Sequence, residues 1–214
     1  MRTITLVTQK GGTGKTTLAA SLAVAAAQAG ETVIALDLDP QGSLAAWGDS
    51  RSAETLAVDR LASDRIGQLP AIMAALKSKG FTVAVLDTPG AASTGVNLAM
   101  QAADLALIPA RPSRLDLQAT LPTIEALVRL EMRDRFAFVL NQCPAIRSSR
   151  AAEAANGLSS FGVLAEPTVT QRVDHQDALA SCQGVTEYAS GSKAAEEIRA
   201  LWTWADNKMK GTWS

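Results

Sequence analysis

Short apolar runs recur along the chain, separated by longer stretches in which apolar residues return at helical spacing. The strongest runs are Ile4–Thr8, Thr32–Asp37, Phe81–Asp87, Leu105–Pro109 and Phe136–Leu140. They are nearly continuous in Val, Ile, Leu and Ala instead of alternating with polar residues, which predicts strands covered on both faces. Helical spacing predicts helices over 18–27, 69–79, 97–103, 115–129, 149–161 and 192–209, with Gly80 stopping the second and Pro122 kinking the fourth. A short helix is expected over 43–47, loop over 48–65, and a short edge strand within 162–169. Alternating strands and helices predict an α/β fold, a mostly parallel sheet with helices on both faces. Without a linker, repeat or low-complexity block, residues 1–214 read as one domain.

The turn between the first strand and the first helix carries the chemistry. It reads Gln9-Lys10-Gly11-Gly12-Thr13-Gly14-Lys15-Thr16-Thr17. Three glycines in four positions let backbone N–H groups turn inward around a phosphate, and the helix N-terminus adds partial positive charge. In such a P-loop Lys15 would reach the β- and γ-phosphates and the Thr16 hydroxyl would ligate Mg²⁺. The common pattern has glycine where this chain has Gln9, and a second lysine, Lys10, stands at the front of the loop.

Further candidates follow the other strands. Asp37-Leu38-Asp39-Pro40-Gln41 lies at the carboxyl end of the second, where open α/β sheets bind ligands. Asp37 and Asp39 would point to opposite faces if that strand continued, so they are not expected to act as a symmetric pair. Asp87 closes the third run and opens Asp87-Thr88-Pro89-Gly90, which makes it the second candidate metal ligand and Gly90 a candidate γ-phosphate sensor. Asn141 closes the fifth, where an amide can both donate and accept.

Charge and composition limit the alternatives. Lys+Arg number 20 and Asp+Glu 21 in 214 residues, so no global field draws the chain to DNA or membrane, and any polyanion contact must be a local patch. Cys143 and Cys182 are far apart with no C-x-x-C, which fits a reducing cytoplasm and gives no iron–sulfur ligand set. One histidine, His175, excludes a multi-His metal site. The phosphate loop starts so early that no secretory leader is expected, and no apolar run predicts a membrane span.

Lys10-Gly11-Gly12-Thr13-Gly14-Lys15-Thr16 resembles the deviant Walker A box of the ParA/MinD family of partition and positioning ATPases. Asp39-Pro40-Gln41 with Ser43, Leu44 and Trp47 looks like its short plasmid-partition, ParF-like branch. The resemblance implies a Mg²⁺-dependent ATPase that binds ATP or ADP and forms a homodimer on ATP. It implies that Lys10 crosses the dimer seam to the other copy's nucleotide, and that Asp39 positions the attacking water. Asp37 would support Mg²⁺, Asp87 would hold it through water, and Asn141 would read adenine. It further implies a ParB-like or cargo-adaptor partner that stimulates hydrolysis, nonspecific DNA binding and a nucleoid-associated location. Arg147, Arg150, Arg172, Lys193, Arg199, Lys208 and Lys210 are the basic residues available for DNA. Specific operator binding is not expected, because the sequence has no N-terminal extension of the kind larger ParA proteins carry.

Two other readings share the motif. A MinD-like membrane-associated ATPase would use the stripe Ala194, Ile198, Leu201, Trp202, Ala205 and Met209, with Trp204 and Trp213 off it. That stripe more simply reads as a helix docked on the core. The other is a small-molecule ligase on the same fold.

Overall fold

The computed structural model describes residues 1–146 and 149–211. Among the described residues seven parallel strands form one sheet. They are β1 (Arg2–Leu6), β2 (Val33–Asp37), β3 (Ala57–Arg60), β4 (Val83–Asp87), β5 (Leu105–Ala110), β6 (Phe136–Leu140) and β7 (Val163–Leu164). In space they run β3-β2-β4-β1-β5-β6-β7. Between them lie α1 (Lys15–Gln28), α2 (Ser43–Asp49), α3 (Leu69–Ser78), α4 (Thr94–Ala102), α5 (Arg114–Gln118), α6 (Leu121–Arg129) and α7 (Ser149–Ser159). After β7 come α8 (Val173–Ala180), α9 (Val185–Tyr188) and α10 (Lys193–Lys210). From β1 the chain passes over β4 to β2 and the edge strand β3, returns to β4, then crosses β1 and runs outward through β5, β6 and β7. Connections therefore leave the neighbouring strands β1 and β5 in opposite directions and open a crevice at their carboxyl ends.

The two-residue period of the strands sorts their side chains onto two cores. Ile4, Leu6, Val33, Ala35, Val83 and Val85 face α1 and α10, while Ile34, Leu36, Ala84 and Leu86 face α3 and α4. A third cluster joins Ile108, Phe136 and Phe138 to Leu127 and Leu158. Helix α1 is buried from Leu18 to Ala26 almost all round, because the sheet covers one side and α8, α9 and α10 the other. Its alanines and leucines therefore form no stripe.

The sequence missed or misplaced several elements. Residues 48–65, expected to be loop, contain β3 and the start of a 3-10 turn over Ser63–Gln68. Strand β3 pairs with β2 at the sheet edge and is only half-buried, so its four residues Ala57-Val58-Asp59-Arg60 carry no continuous apolar run. Helix α4 starts before the expected Asn97, because the Ser93 hydroxyl accepts from the Val96 amide and caps it. The expected kinked helix over 115–129 is two helices, and Pro122 sits in the first turn of α6, where its missing N–H leaves nothing unsatisfied.

Candidate functional site

The site grows from the carboxyl ends of β1, β2 and β4. Asp37 and Asp87 are register partners on neighbouring parallel strands and continue the Val33–Ala35 and Val83–Val85 rows that face α1. Thr16, in the first turn of α1, comes down on the same row, and its hydroxyl donates to Asp87 Oδ2 at 2.6 Å. The other Asp87 oxygen, Oδ1, is buried with no hydrogen-bond partner among the described residues. Burial chiefly, with Asp37 and Asp39 nearby, outweighs Thr16 and Lys15 and pushes the Asp87 carboxyl up to about 7. A cation beside Oδ1 would relieve both conditions.

Hard oxygens of one carboxylate and one hydroxyl suit Mg²⁺, which takes few protein ligands and completes its shell with phosphate and water. Among the described residues no three His, Cys, Asp or Glu side chains make a self-sufficient metal site. Thr16 and Asp87 therefore fit a cation that arrives with a phosphate ligand. Asp37 is fully buried, and its oxygens accept from the amides of Asp39 and Ala45, both at 2.9 Å. The structure thus places it as the anchor that bends the chain after β2 and fixes the start of α2.

The loop is held open by its backbone. Gly12 and Gly14 have φ of +75° and +88°, and a Cβ on Gly14 would lie 2.4 Å from Asn141 Nδ2. That amide donates to the Thr13 carbonyl at 2.8 Å, and Gln142 Nε2 donates to the Gly12 carbonyl at 3.1 Å. The end of β6 therefore braces the loop from behind. The first turn of α1 has no side-chain cap and no acidic residue, which leaves its N–H groups for an anion. In front lies a cavity of about 660 Å³ lined by Gly11–Thr17, Asp39–Gln41, Ser43 and Pro89–Ala91. Lys15 is buried at its wall, and burial lowers its pKa against the opposing pull of Asp87 and Asp39. Asp39 Oδ1 accepts from the Gln41 amide at 2.9 Å, a closed turn at the cavity edge.

Lys10 stands apart from that cavity. Its ammonium lies 3.1 Å from Asp116 Oδ1, beside α5. Asp116 is 4% exposed and also accepts from Arg111 Nε at 3.0 Å and from the Ser113 hydroxyl. Burial alone would raise its carboxyl, but Ser113, Arg111 and Lys10 together hold it below the usual carboxylate range. The structure thus brings Gly11–Thr17 and Asp39 around one space, sets Asp87 buried behind Thr16 and Asn141 behind the loop, and turns Lys10 aside. The segment Pro109–Asp116 resembles a family segment near the nucleotide and dimer seam, but its contacts are not assignable from sequence, and sequence reasoning misses Gln142 altogether. Ser113-x-x-Asp116 is a legible capping pair, whereas nothing local marks Gln142.

The basic residues suggested for DNA are largely engaged. Arg172 pairs with Glu197 at 2.8 Å, Lys210 with Asp206 at 2.7 Å, and Arg199 donates to the Ser190 carbonyl at 2.6 Å. Arg147 and Trp213 lie outside the described residues, as does the side chain of Arg150. On α10, Ala194, Ile198, Leu201, Trp202 and Ala205 are buried against the core, and Trp204 and Met209 pack on its margin. The stripe is therefore not available to lipid. Among the described residues no helix is long and apolar enough to cross a membrane.

Residues 4–165 match the family model described as the CobQ/CobB/MinD/ParA nucleotide binding domain. The chain belongs to this family. Among curated members, the Maintenance of carboxysome distribution protein A of Halothiobacillus neapolitanus is 30% identical over 208 residues, covering 93% of this chain and 94% of the relative. The protein of the same name from Gloeobacter kilaueensis is 38% identical over 129 residues, which spans 59% of this chain and 57% of that relative. A solved structure of a substituted Cyanothece McdA in complex with ATP superposes with a TM-score of 0.75 at 17% identity, over 99% of this chain and 96% of the other. At that identity the likeness speaks for the fold, and the family fold is the doubly covered parallel sheet described above.

Proposed function

We propose that this member of the CobQ/CobB/MinD/ParA family is a Mg²⁺-dependent ATPase that pairs with a second copy on ATP and positions a cargo. The observation that carries it is the cavity at the loop lined by Lys15, Thr16 and Asp39, with Asp87 buried behind Thr16 and one of its oxygens unpartnered among the described residues. The amides of Gly11–Thr17 and Lys15 hold the phosphates. Thr16 and Asp87 hold the cation, with Asp37 fixing the backbone beside them. Bound there, Mg²⁺ would neutralise charge on the β- and γ-phosphate oxygens as the terminal bond breaks. Asp39 orients the attacking water once its turn onto Gln41 opens, and Asn141 faces the base side of the loop.

Lys10 supplies the link to assembly. In one copy it rests on Asp116, outside its own phosphate cavity. In the pair it leaves Asp116 for the partner copy's nucleotide, so occupancy by ATP and pairing become one event. A cation supplied in trans can raise hydrolysis ~10³–10⁵-fold in related phosphoryl transfer. A relative named for carboxysome distribution matches nearly end to end, which supports a positioning role with an adaptor protein as partner. Nonspecific DNA binding by the ATP-bound pair, and with it a nucleoid-associated cytoplasmic location, belong to the same reading. Their test is ATP-dependent DNA retention across a salt series, which should weaken steeply as salt rises.

Light scattering coupled to size exclusion checks the central claim. A dimer is expected with Mg²⁺ and a non-hydrolysable ATP analogue, and a monomer with ADP. Lys10→Ala should remain monomeric with the analogue. A wild-type chain that stays monomeric with the analogue bound ends this reading.

A further inference from the structure

A second cavity, of about 130 Å³, shares Gly14 and Thr17 with the phosphate cavity but none of the Asp39–Ser43 side. It opens behind the loop, walled by the end of β6 on one side and by Thr170, Gln171 and Arg172 on the other. A ligand whose phosphates lie on Gly11–Thr17 would extend its other end into this space. The lining is rich in side-chain amides, the groups that pair with the edges of a heterocyclic base. His175, from α8, lines the same space and keeps a buried Nε2 with no hydrogen-bond partner among the described residues.

The wall formed by Thr170–Arg172 belongs to no helix or strand. On one side backbone bonds tie it to the end of β6 and the residues just after: Val169 N donates to the Leu140 carbonyl at 2.8 Å, Cys143 N to the Val169 carbonyl at 3.0 Å and Gln171 N to the Cys143 carbonyl at 2.8 Å. On the other side one carboxylate takes three hydrogen bonds. Glu197 Oε2 accepts from the Thr170 amide at 2.9 Å, and Oε1 accepts from the Thr170 hydroxyl at 2.9 Å and from Arg172 Nη2 at 2.8 Å. Glu197 sits on α10 one residue before Ile198, which is fully buried against the core. The carboxylate is therefore carried by a rigid element and supplies the side-chain acceptor that holds Thr170 and Arg172 in this wall.

We propose that Glu197 is a positioning residue for the nucleobase, holding the Thr170–Arg172 wall at the distance from Asn141 that admits a base. The inference rests on the nucleotide reading above. It assigns to the C-terminal helix the selectivity for nucleotide over bare polyphosphate, while the loop sets phosphate affinity alone.

Binding of ATP and of inorganic tripolyphosphate, each with Mg²⁺, separates the two. Calorimetry on the full chain should find that the wild type prefers ATP. Glu197→Ala should weaken ATP about tenfold, the size of one hydrogen bond to a charged group, and shift tripolyphosphate by less than about twofold. Glu197→Gln keeps one carbonyl acceptor and should lie between. An equal fall for both ligands, or an unchanged ATP preference, overturns the inference. Should Glu197→Ala not fold, as a ligand-free melt would reveal, the same ratio on Glu197→Gln decides. A wild type that binds neither ligand overturns the nucleotide reading and this inference together, whereas a discriminating wild type with an equally discriminating variant overturns only this one.

Discussion

At the scale of single residues, two positions are fixed by space and charge more than by their own type. Gly14 combines a φ of +88° with a 2.4 Å approach to Asn141, so any side chain there both strains the backbone and pushes away the amide that braces the loop. Gly14→Ala should cost about 1–3 kcal/mol in urea unfolding and lose nucleotide binding. Asp116 is the second. Its removal leaves Ser113, Arg111 and Lys10 without their shared acceptor, and Asp116→Ala should destabilise by about 1–3 kcal/mol in the same measurement. A smaller loss would mean that Lys10 and Arg111 find water easily and that the Asp116 cluster is weak. The lysines of the loop were legible from spacing alone, but the resting partner of Lys10 was not. That partner lies 106 positions further along the chain, and only the packing of α5 beside the loop brings it near.

At the scale of elements, α10 decides more than its sequence suggests. Its apolar stripe could serve lipid or core, and the choice is made by α1, which exposes a matching apolar side between the sheet and α10. Leu201, fully buried, should cost about 2–5 kcal/mol on replacement by alanine, read from chemical denaturation. Ser192, whose hydroxyl accepts from the Ala195 amide at the start of α10, should cost about 1 kcal/mol as alanine. If Leu201→Ala instead left stability unchanged and altered vesicle binding, the docked arrangement would be wrong. Helix α2 teaches a related lesson. It was legible as a short helix, but its anchoring was not: Arg51 stacks on Trp47 at 4.7 Å and grips Glu187 near the end of α9 with both nitrogens. The segment after Asp39 is thus tied to the far end of the chain, by a contact whose partners are 136 residues apart.

At the scale of the whole molecule, several such long-range contacts make stability depend on pH in a definite direction. Burial lowers the His175 pKa from 6.5, with Arg172 adding to it and Glu197 and Asp174 opposing. The unfolded chain therefore binds a proton at this position that the folded chain resists, and the contribution of His175 to stability should begin to fall as pH drops below about 6.5. Glu187 and Glu197 are held below their ordinary 4.5, because hydrogen bonds from Arg51 and from Arg172 and Thr170 outweigh the opposing effect of burial. Their contribution is complete above about 4.5 and lost as pH falls through the lowered values, so a second, steeper decline should follow. Urea midpoints at pH 7.5, 5.5 and 4, taken for wild type and for His175→Gln, would separate the two, and the variant should lose only the His175 part. Asp87, raised to about 7, acts with the opposite sign in the same window, so the His175 effect is read as the difference between wild type and His175→Gln. A difference that did not change between pH 7.5 and 5.5 would contradict the burial of His175.

The sequence alone determined the order of the main strands, the helices between them and the phosphate loop, because these follow from local periodicity and from glycines that any similar backbone would need. It determined that Asp87 ends a buried strand, since an apolar run closed by a carboxylate is visible in one dimension. Only the tertiary structure decided that Asp37 and Asp87 stand side by side, that one Asp87 oxygen has no partner among the described residues, and that Lys10 rests on Asp116. It also decided that Glu197 reaches the Thr170–Arg172 wall and that β3 completes the sheet edge. Each of these depends on which elements become neighbours, and burial shared among distant segments sets that choice, whereas the pattern within any one of them does not.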